Sequence, residues 1–432
     1  MKVPRLFFLF GVCCLAVLIG CGSKESIQNG KVHLKLVHFY LDQKDTWQHD
    51  VVEPFMKAHP NIEVEVEAVP FGLYTTKILS SAASGTPMGD VIVIDDWFGQ
   101  ELFRRNYTIP LDSFYHRDLN PDDFFTQFFT VWRKGNNANA PLMAMPAAGG
   151  VTALFYNKDL FDKANVKYPD STWTYSDLLT AAKKLTNNAS NPRDKTWGLL
   201  LDDGLFTGVD TYIYSNGGKI LSDDKTHSAM MEPQTIAAVQ SYVDLIQKEH
   251  VAPPPDPSQL LGQRFMLGHA AMMLHIDVAK TELKHATFRW DVAAPPKGVA
   301  GLMDRQNGQA FGITQTCEQP DSAWQLVKWV VTLPSKTGVN DLFNSAMPLY
   351  KPLAHSTEFL DGEPNCNRQA LVAINNTGHV FTLITPGWQE WRDHGFTPNM
   401  QDMLAGRKSV QEGCAAIDRK INEVLARYRA PQ

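Results

Sequence analysis

The chain has 432 residues, with 40 Lys and Arg against 46 Asp and Glu, for a net charge of −6 at neutral pH. No basic block interrupts it, which argues against a nucleic-acid partner. Six cysteines without a CxxC spacing and thirteen histidines without an HExxH cluster point to no metal site and no cofactor.

The chain opens with a leader. "MKVPR" is positive, and "LFFLFGVCCLAVLIG" is an uncharged apolar stretch of signal-peptide length, too short to favour a spanning helix. It ends in Leu18-Ile19-Gly20-Cys21, which resembles the bacterial lipobox, so residues 1–20 read as a lipoprotein signal peptide and Cys21 as the palmitate-bearing anchor. Losing Lys2 and Arg5 with the leader takes the charge from −6 to −8. Residues 21–30, "CGSKESIQNG", read as a flexible tether. The protein is expected on the outer side of a bacterial membrane, held there by lipid.

The remaining chain, roughly 410 residues, is long enough for two domains. "KVHLKLVHFY" alternates through Val32, Leu34 and Leu36 and predicts a strand. "DTWQHDVVEPFMKAHP" has helical spacing through Trp47, Val51 and Phe55, with Pro54 set to kink it. "NIEVEVEAVP" repeats every two residues, and "LYTTKILSSAASG" is a helix closed by Gly85. "DVIVI", apolar on both faces, predicts a central strand of a parallel sheet that runs straight into Asp95, Asp96 and Trp97. Strands alternating with helices give a doubly wound α/β domain.

Further along, Thr174 with Asp177 three residues later predicts a capped helix, and Pro233 starts another through Ile236, Val239, Val243 and Ile246. "NGGKILSDD" reads as a turn or hairpin. Strands return in "AAMMLHI", "WDVAAPP" and "AFGITQT", a helix follows in "DSAWQLVKWVVTL", and the last seventy residues are helical.

The order of these motifs resembles the extracellular solute-binding proteins of family 1, the sugar-binding components of ABC importers related to maltose-binding protein. The likeness runs through "EPFMKAHPNIEVEVE", Tyr156-Asn157-Lys158-Asp159-Leu160-Phe161 with Thr172-Trp173, "NGGKIL", the Phe265, Gly268, Ala270, Ala271, Met272 pattern, and "SAWQLVKWV". It covers essentially the whole chain after the leader. Two departures stand out: "GTPMGD" carries two extra residues before Asp90, and His275-Ile276-Asp277-Val278 replaces the family's Gly-Ser-Trp. The resemblance implies a two-lobed periplasmic-binding-protein fold of the Venus-flytrap kind, each lobe a doubly wound sheet flanked by helices. The lobes are expected at 31–148 plus 300–350 and at 149–299 plus 351–432. Cys366 and Cys414 then fall in one lobe and are the preferred pair if one disulfide forms. A monomer is expected, with a carbohydrate ligand and the transmembrane permease subunits of an ABC transporter as partners.

Sugars need hydrogen-bonding groups for their hydroxyls and flat aromatic surfaces for their C–H faces. In open α/β sheets a ligand sits beyond the carboxyl ends of the strands. The candidates there are Tyr40 and Asp42 after the first strand, Phe71 after the second, and Asp95, Asp96 and Trp97 after the third. One of the two acids is expected to face the ligand and the other to cap a helix starting near Phe98. Gly149 in "PAAGGV" lies at a crossing where small residues allow close approach, and Tyr212, Asn216, Asp277, Met347 and Trp388 complete the set. His38 reads as structural.

Two other readings stay open at this point. An exported glycan-acting hydrolase needs two carboxyl groups about 5–5.5 Å or about 6.5–9.5 Å apart across the scissile bond, and adjacent acids at a strand end point to opposite faces. A binder of a non-sugar solute, such as a polyamine, would also combine acids with aromatics. No GxSxG and no P-loop occur, so an importer's ATPase would be another chain.

Overall fold

A computed structural model describes residues 27–28, 30–40, 43–187, 189, 195–205, 208–256, 258–305, 307–343, 346–362, 366–377 and 379–429. The leader, Cys21 and Asp42 lie outside them. In chain order the strands are β1 (Ile27–Gln28), β2 (Lys31–His38), β3 (Ile62–Ala68), β4 (Val91–Asp95), β5 (Met145–Gly149), β6 (Thr152–Asn157), β7 (Trp197–Leu200), β8 (Ala270–Ile276), β9 (Trp290–Ala293), β10 (Met303–Arg305), β11 (Gln309–Ile313), β12 (Met347–Pro348) and β13 (His379–Phe381).

They build two main sheets. The first, of seven strands, runs β1-β2-β4-β11-β5-β12, with β3 on the other side of β2. Strands β2, β3 and β4 are parallel, while β11 enters antiparallel between β4 and β5. The second sheet runs β7-β8-β6-β9. "DVIVI" is the buried strand expected, with every residue of β4 buried. Only one of its flanks is parallel, because the other is filled by a segment returning from the second lobe.

The chain crosses between the sheets at Gly149–Thr152 and again at Arg305–Gln309, and β10 pairs in parallel with β13 in a separate two-stranded ribbon. The two crossings interlock. A Cβ on Gly150 would lie 2.1 Å from Asn307 Oδ1, and one on Gly308, at φ 141°, would lie 2.0 Å from the Ala148 carbonyl oxygen. At Gly308 both the backbone conformation and the overlap with backbone require glycine, while at Gly150 a side chain would have to displace the Asn307 amide.

The helices follow their sequence signals. Pro54 has no N–H and its ring crowds the carbonyl four residues back, and the chain widens into a π-helical stretch, Trp47–Val52, before the helix Glu53–Ala58. Phe71–Ser84 closes on Gly85 in the left-handed region, φ 72°. Thr174 and Asp177 form a reciprocal capping box on Tyr175–Leu185. Cys366 and Cys414, the pair preferred if a disulfide formed, are buried free thiols. No helix among the described residues is long and apolar enough to cross a membrane.

Candidate functional site

The mouth of β4 decides the site. Asp95 is extended, φ −88° and ψ 149°, and its carboxylate accepts the Trp97 N–H at 3.3 Å, so it caps the helix Asp96–Arg104. The helix starts two residues earlier than the sequence suggested. Gln309 Nε2 also donates to Asp95, at 3.1 Å. Asp96, first in the helix, is 2% exposed and turns its carboxylate to Arg305 Nη1 at 3.4 Å. Burial pushes both carboxyls up, Asp96 well up. The neighbouring Asp95 charge adds to burial in raising Asp96, and the Arg305 charge pulls each back down.

These acids wall a chamber of about 180 Å³ between the lobes. Phe71 and Trp97 supply its aromatic surface, with the rings edge-on at 6.2 Å between centroids. Gly150 and Ile276–Val278 face them from the second lobe, and Arg305, Asn307–Gln309 and Ala346 close the floor. Asp277 reaches the chamber wall fully buried, with its carboxylate ion-paired to Lys280 at 3.0 Å and accepting the Val151 N–H at 3.3 Å. Burial raises its pKa and Lys280 lowers it.

A second space of about 450 Å³ lies on the other side of Trp97, between the helix Asp96–Arg104 and the stretch Ile384–Gln389. Trp388 lines this groove, not the chamber. Its indole N–H donates to the Trp97 carbonyl at 3.1 Å, and the two rings meet edge-on at 5.9 Å. The Arg392 guanidinium lies 4.9 Å from the Trp97 ring centre and 4.6 Å from that of Trp388. Asn136 Nδ2 donates to the Ile384 carbonyl at 2.6 Å, a further bond across the mouth.

Of the expected residues, the chamber therefore gathers Phe71, Asp95, Asp96, Trp97 and Asp277. Six others, Trp388 among them, are placed elsewhere. Tyr212 packs between Tyr175 and Tyr242, with its hydroxyl 3.1 Å from Ser241 Oγ. Asn216 ends the same helix and donates to the Tyr212 carbonyl. Met347 is fully buried in β12, its sulfur accepting from Asn375 Nδ2. A Cβ on Gly149 would meet Leu349, so Gly150 is the crossing residue that reaches the chamber. Tyr40 stacks over Trp47 beside Asp95, whose charge adds to burial in pushing the phenol up. His38 is buried, Nδ1 accepting the Tyr40 N–H at 3.1 Å, and burial pushes its pKa down to about 4.

Sequence reasoning missed Arg305, Asn307 and Gln309. "DRQNG" has no periodicity and no motif spacing. The one usable signal was indirect, because two adjacent buried acids require a cation nearby. Among the described residues, no group of three or more His, Cys, Asp or Glu is placed to hold a metal ion.

Comparison with known proteins agrees with this geometry. The family model for bacterial extracellular solute-binding proteins matches residues 41–335, more than half of the chain. A Brucella abortus protein whose name says little more than binding protein is 24% identical over 400 residues, covering 89% of this chain and 90% of that one. Two solved structures share the fold. The ABC substrate-binding protein Lmo0181 of Listeria monocytogenes, in complex with cycloalternan, has a TM-score of 0.75 at 22% identity, covering 92% of this chain and 99% of that one. The sugar-binding protein MalE of Xanthomonas citri has a TM-score of 0.77 at 17% identity, covering 92% and 98%.

Proposed function

The chain belongs to the bacterial extracellular solute-binding proteins, and we propose that it captures a sugar or oligosaccharide between its lobes and delivers it to the permease of an ABC importer. The observation that carries this reading is the interlobe chamber, where Asp95 and Asp96 can accept from hydroxyls while Phe71 and Trp97 offer ring faces. The Listeria and Xanthomonas chains of the same fold, bound to cycloalternan and named for sugar binding, point the same way. At about 180 Å³ the chamber is smaller than the usual 300–1,000 Å³ of a ligand pocket, and the groove beyond Trp97 falls inside that range.

Capture occurs without chemical change. Asp95 and Asp96 are consecutive at one strand end, and each is held by its own partners, Trp97 and Gln309 for the first and Arg305 for the second, so they do not face each other across a bond as a hydrolase's carboxyls must. The lobes are taken as 31–148 plus 300–350 and 149–299 plus 351–432, a division supported by the strands each sheet collects. Cys21 anchors the monomer to the membrane by lipid.

A thermal-shift screen tests this. A sugar at 100-fold its Kd should stabilise the fold by about 2.7 kcal/mol. A shift with spermidine and with no sugar would overturn the carbohydrate reading. Release of reducing ends from a glycan would mean a hydrolase.

A further inference from the structure

Arg305 sits at the end of β10, on the crossing between lobes, and is buried at 2% exposure. Its Nη1 lies 3.4 Å from Asp96 Oδ2, on the first lobe's helix, and its Nε lies 3.4 Å from Asp210 Oδ2, on the second lobe's helix Val209–Ser215. All three side chains are 3% exposed or less. The nearby carboxyls of Asp304 and Asp95, and one oxygen of Asp210, have donors of their own. Asp304 accepts the Thr152 and Arg305 backbone N–H groups, Asp95 accepts from Trp97 and Gln309, and Asp210 Oδ1 accepts the Thr211 N–H.

We propose that Arg305 is an interlobe clamp, a positioning residue that holds Asp96 and Asp210 together in the closed cleft and so sets how readily the protein closes on its ligand. A guanidinium buried among carboxylates is tolerated only while it is paired. Opening the cleft draws Asp96 away and lets water reach both charges, and closing restores the three-part arrangement. Removing the cation leaves Asp96 and Asp210 buried without it, a penalty that falls on the closed form. Apparent affinity is the intrinsic affinity scaled by the closed fraction, so the clamp acts on binding without touching the ligand. Asp210 is the informative partner, because it does not line the chamber that Arg305 and Asp96 help to wall.

The affinity arm of the test rests on the sugar-binding reading, and the shape arm does not. The full-length protein and its Asp210→Asn, Arg305→Gln and Arg305→Lys variants would be compared without ligand by small-angle X-ray scattering. The tightest sugar from the thermal screen would then be titrated calorimetrically. Asp210→Asn and Arg305→Gln should each enlarge the ligand-free radius of gyration and weaken the sugar about 10- to 100-fold, and Arg305→Lys should recover part of both. Asp210→Asn with wild-type dimensions and wild-type affinity overturns the clamp. If Arg305→Gln does not fold, Asp210→Asn decides alone. If no sugar binds, the function reading fails and the scattering result still decides the clamp.

Discussion

At the scale of single residues, Asp95 and Asp96 are neighbours with different tasks. Asp95 spends its oxygens on the Trp97 N–H and on Gln309, and Asp96 spends its charge on Arg305. Replacing Asp95 by Ala should lower stability by about 1 kcal/mol, the usual loss for a helix N-cap, with a smaller effect on ligand affinity. Replacing Asp96 by Ala should weaken the ligand about 10- to 100-fold, the range for a hydrogen bond to a charged group. Urea unfolding and calorimetric titration of the two variants separate the roles, and equal losses in both measurements would show that they are not divided. That two acids ended a buried strand was plain in the sequence, because Val91–Ile94 is uninterrupted apolar chain. Which acid caps and which pairs was not, since the partner of Asp96 lies more than two hundred residues away.

Among the elements, β10 is the one whose chemistry pH should reveal. Burial pushes the Asp304 carboxyl up to about 7, although Thr152 and Arg305 donate backbone N–H groups to it. The unfolded value is about 3.9, so the folded chain holds a proton that the unfolded chain releases. The associated stability is full below about pH 4 and is lost as pH rises through about 7. Relative to an Asp304→Asn variant, the wild type should therefore lose stability between those limits, which urea midpoints at a series of pH values would show. A constant difference would mean that Asp304 does not titrate there. Helices were legible from local signals, such as the Thr174–Asp177 box and the stop at Gly85. The three-residue β10 was not, because it is fixed by β13, more than seventy residues on, and not by any periodicity of its own.

For the whole molecule, the two-lobed α/β architecture was readable because each strand and helix carries its own period. The membership of the first sheet was not fully readable. β11 pairs with β4 from Val91↔Ile313 to Asp95↔Gln309 and lies against β5 on its other side. Such pairing is long-range, and nothing near β4 announces it. A chain ended at residue 300 should therefore lack a cooperative urea transition for the first lobe, measured by tryptophan fluorescence, even though β1 to β5 are all present. A sharp transition in that fragment would show that β11 and β12 are dispensable.

The insertion of β11 between β4 and β5 also sets a timetable. A chain emerging from its N-terminus makes β4 and β5 early, yet their facing edges stay unpaired until residues 309–313 arrive. The first lobe thus begins first and finishes after the second lobe's sheet, whose last strand ends at Ala293. Lasting native structure in the first lobe is deferred until about three quarters of the polypeptide is available. Through that interval, two apolar strand edges are exposed to any other chain that could pair with them.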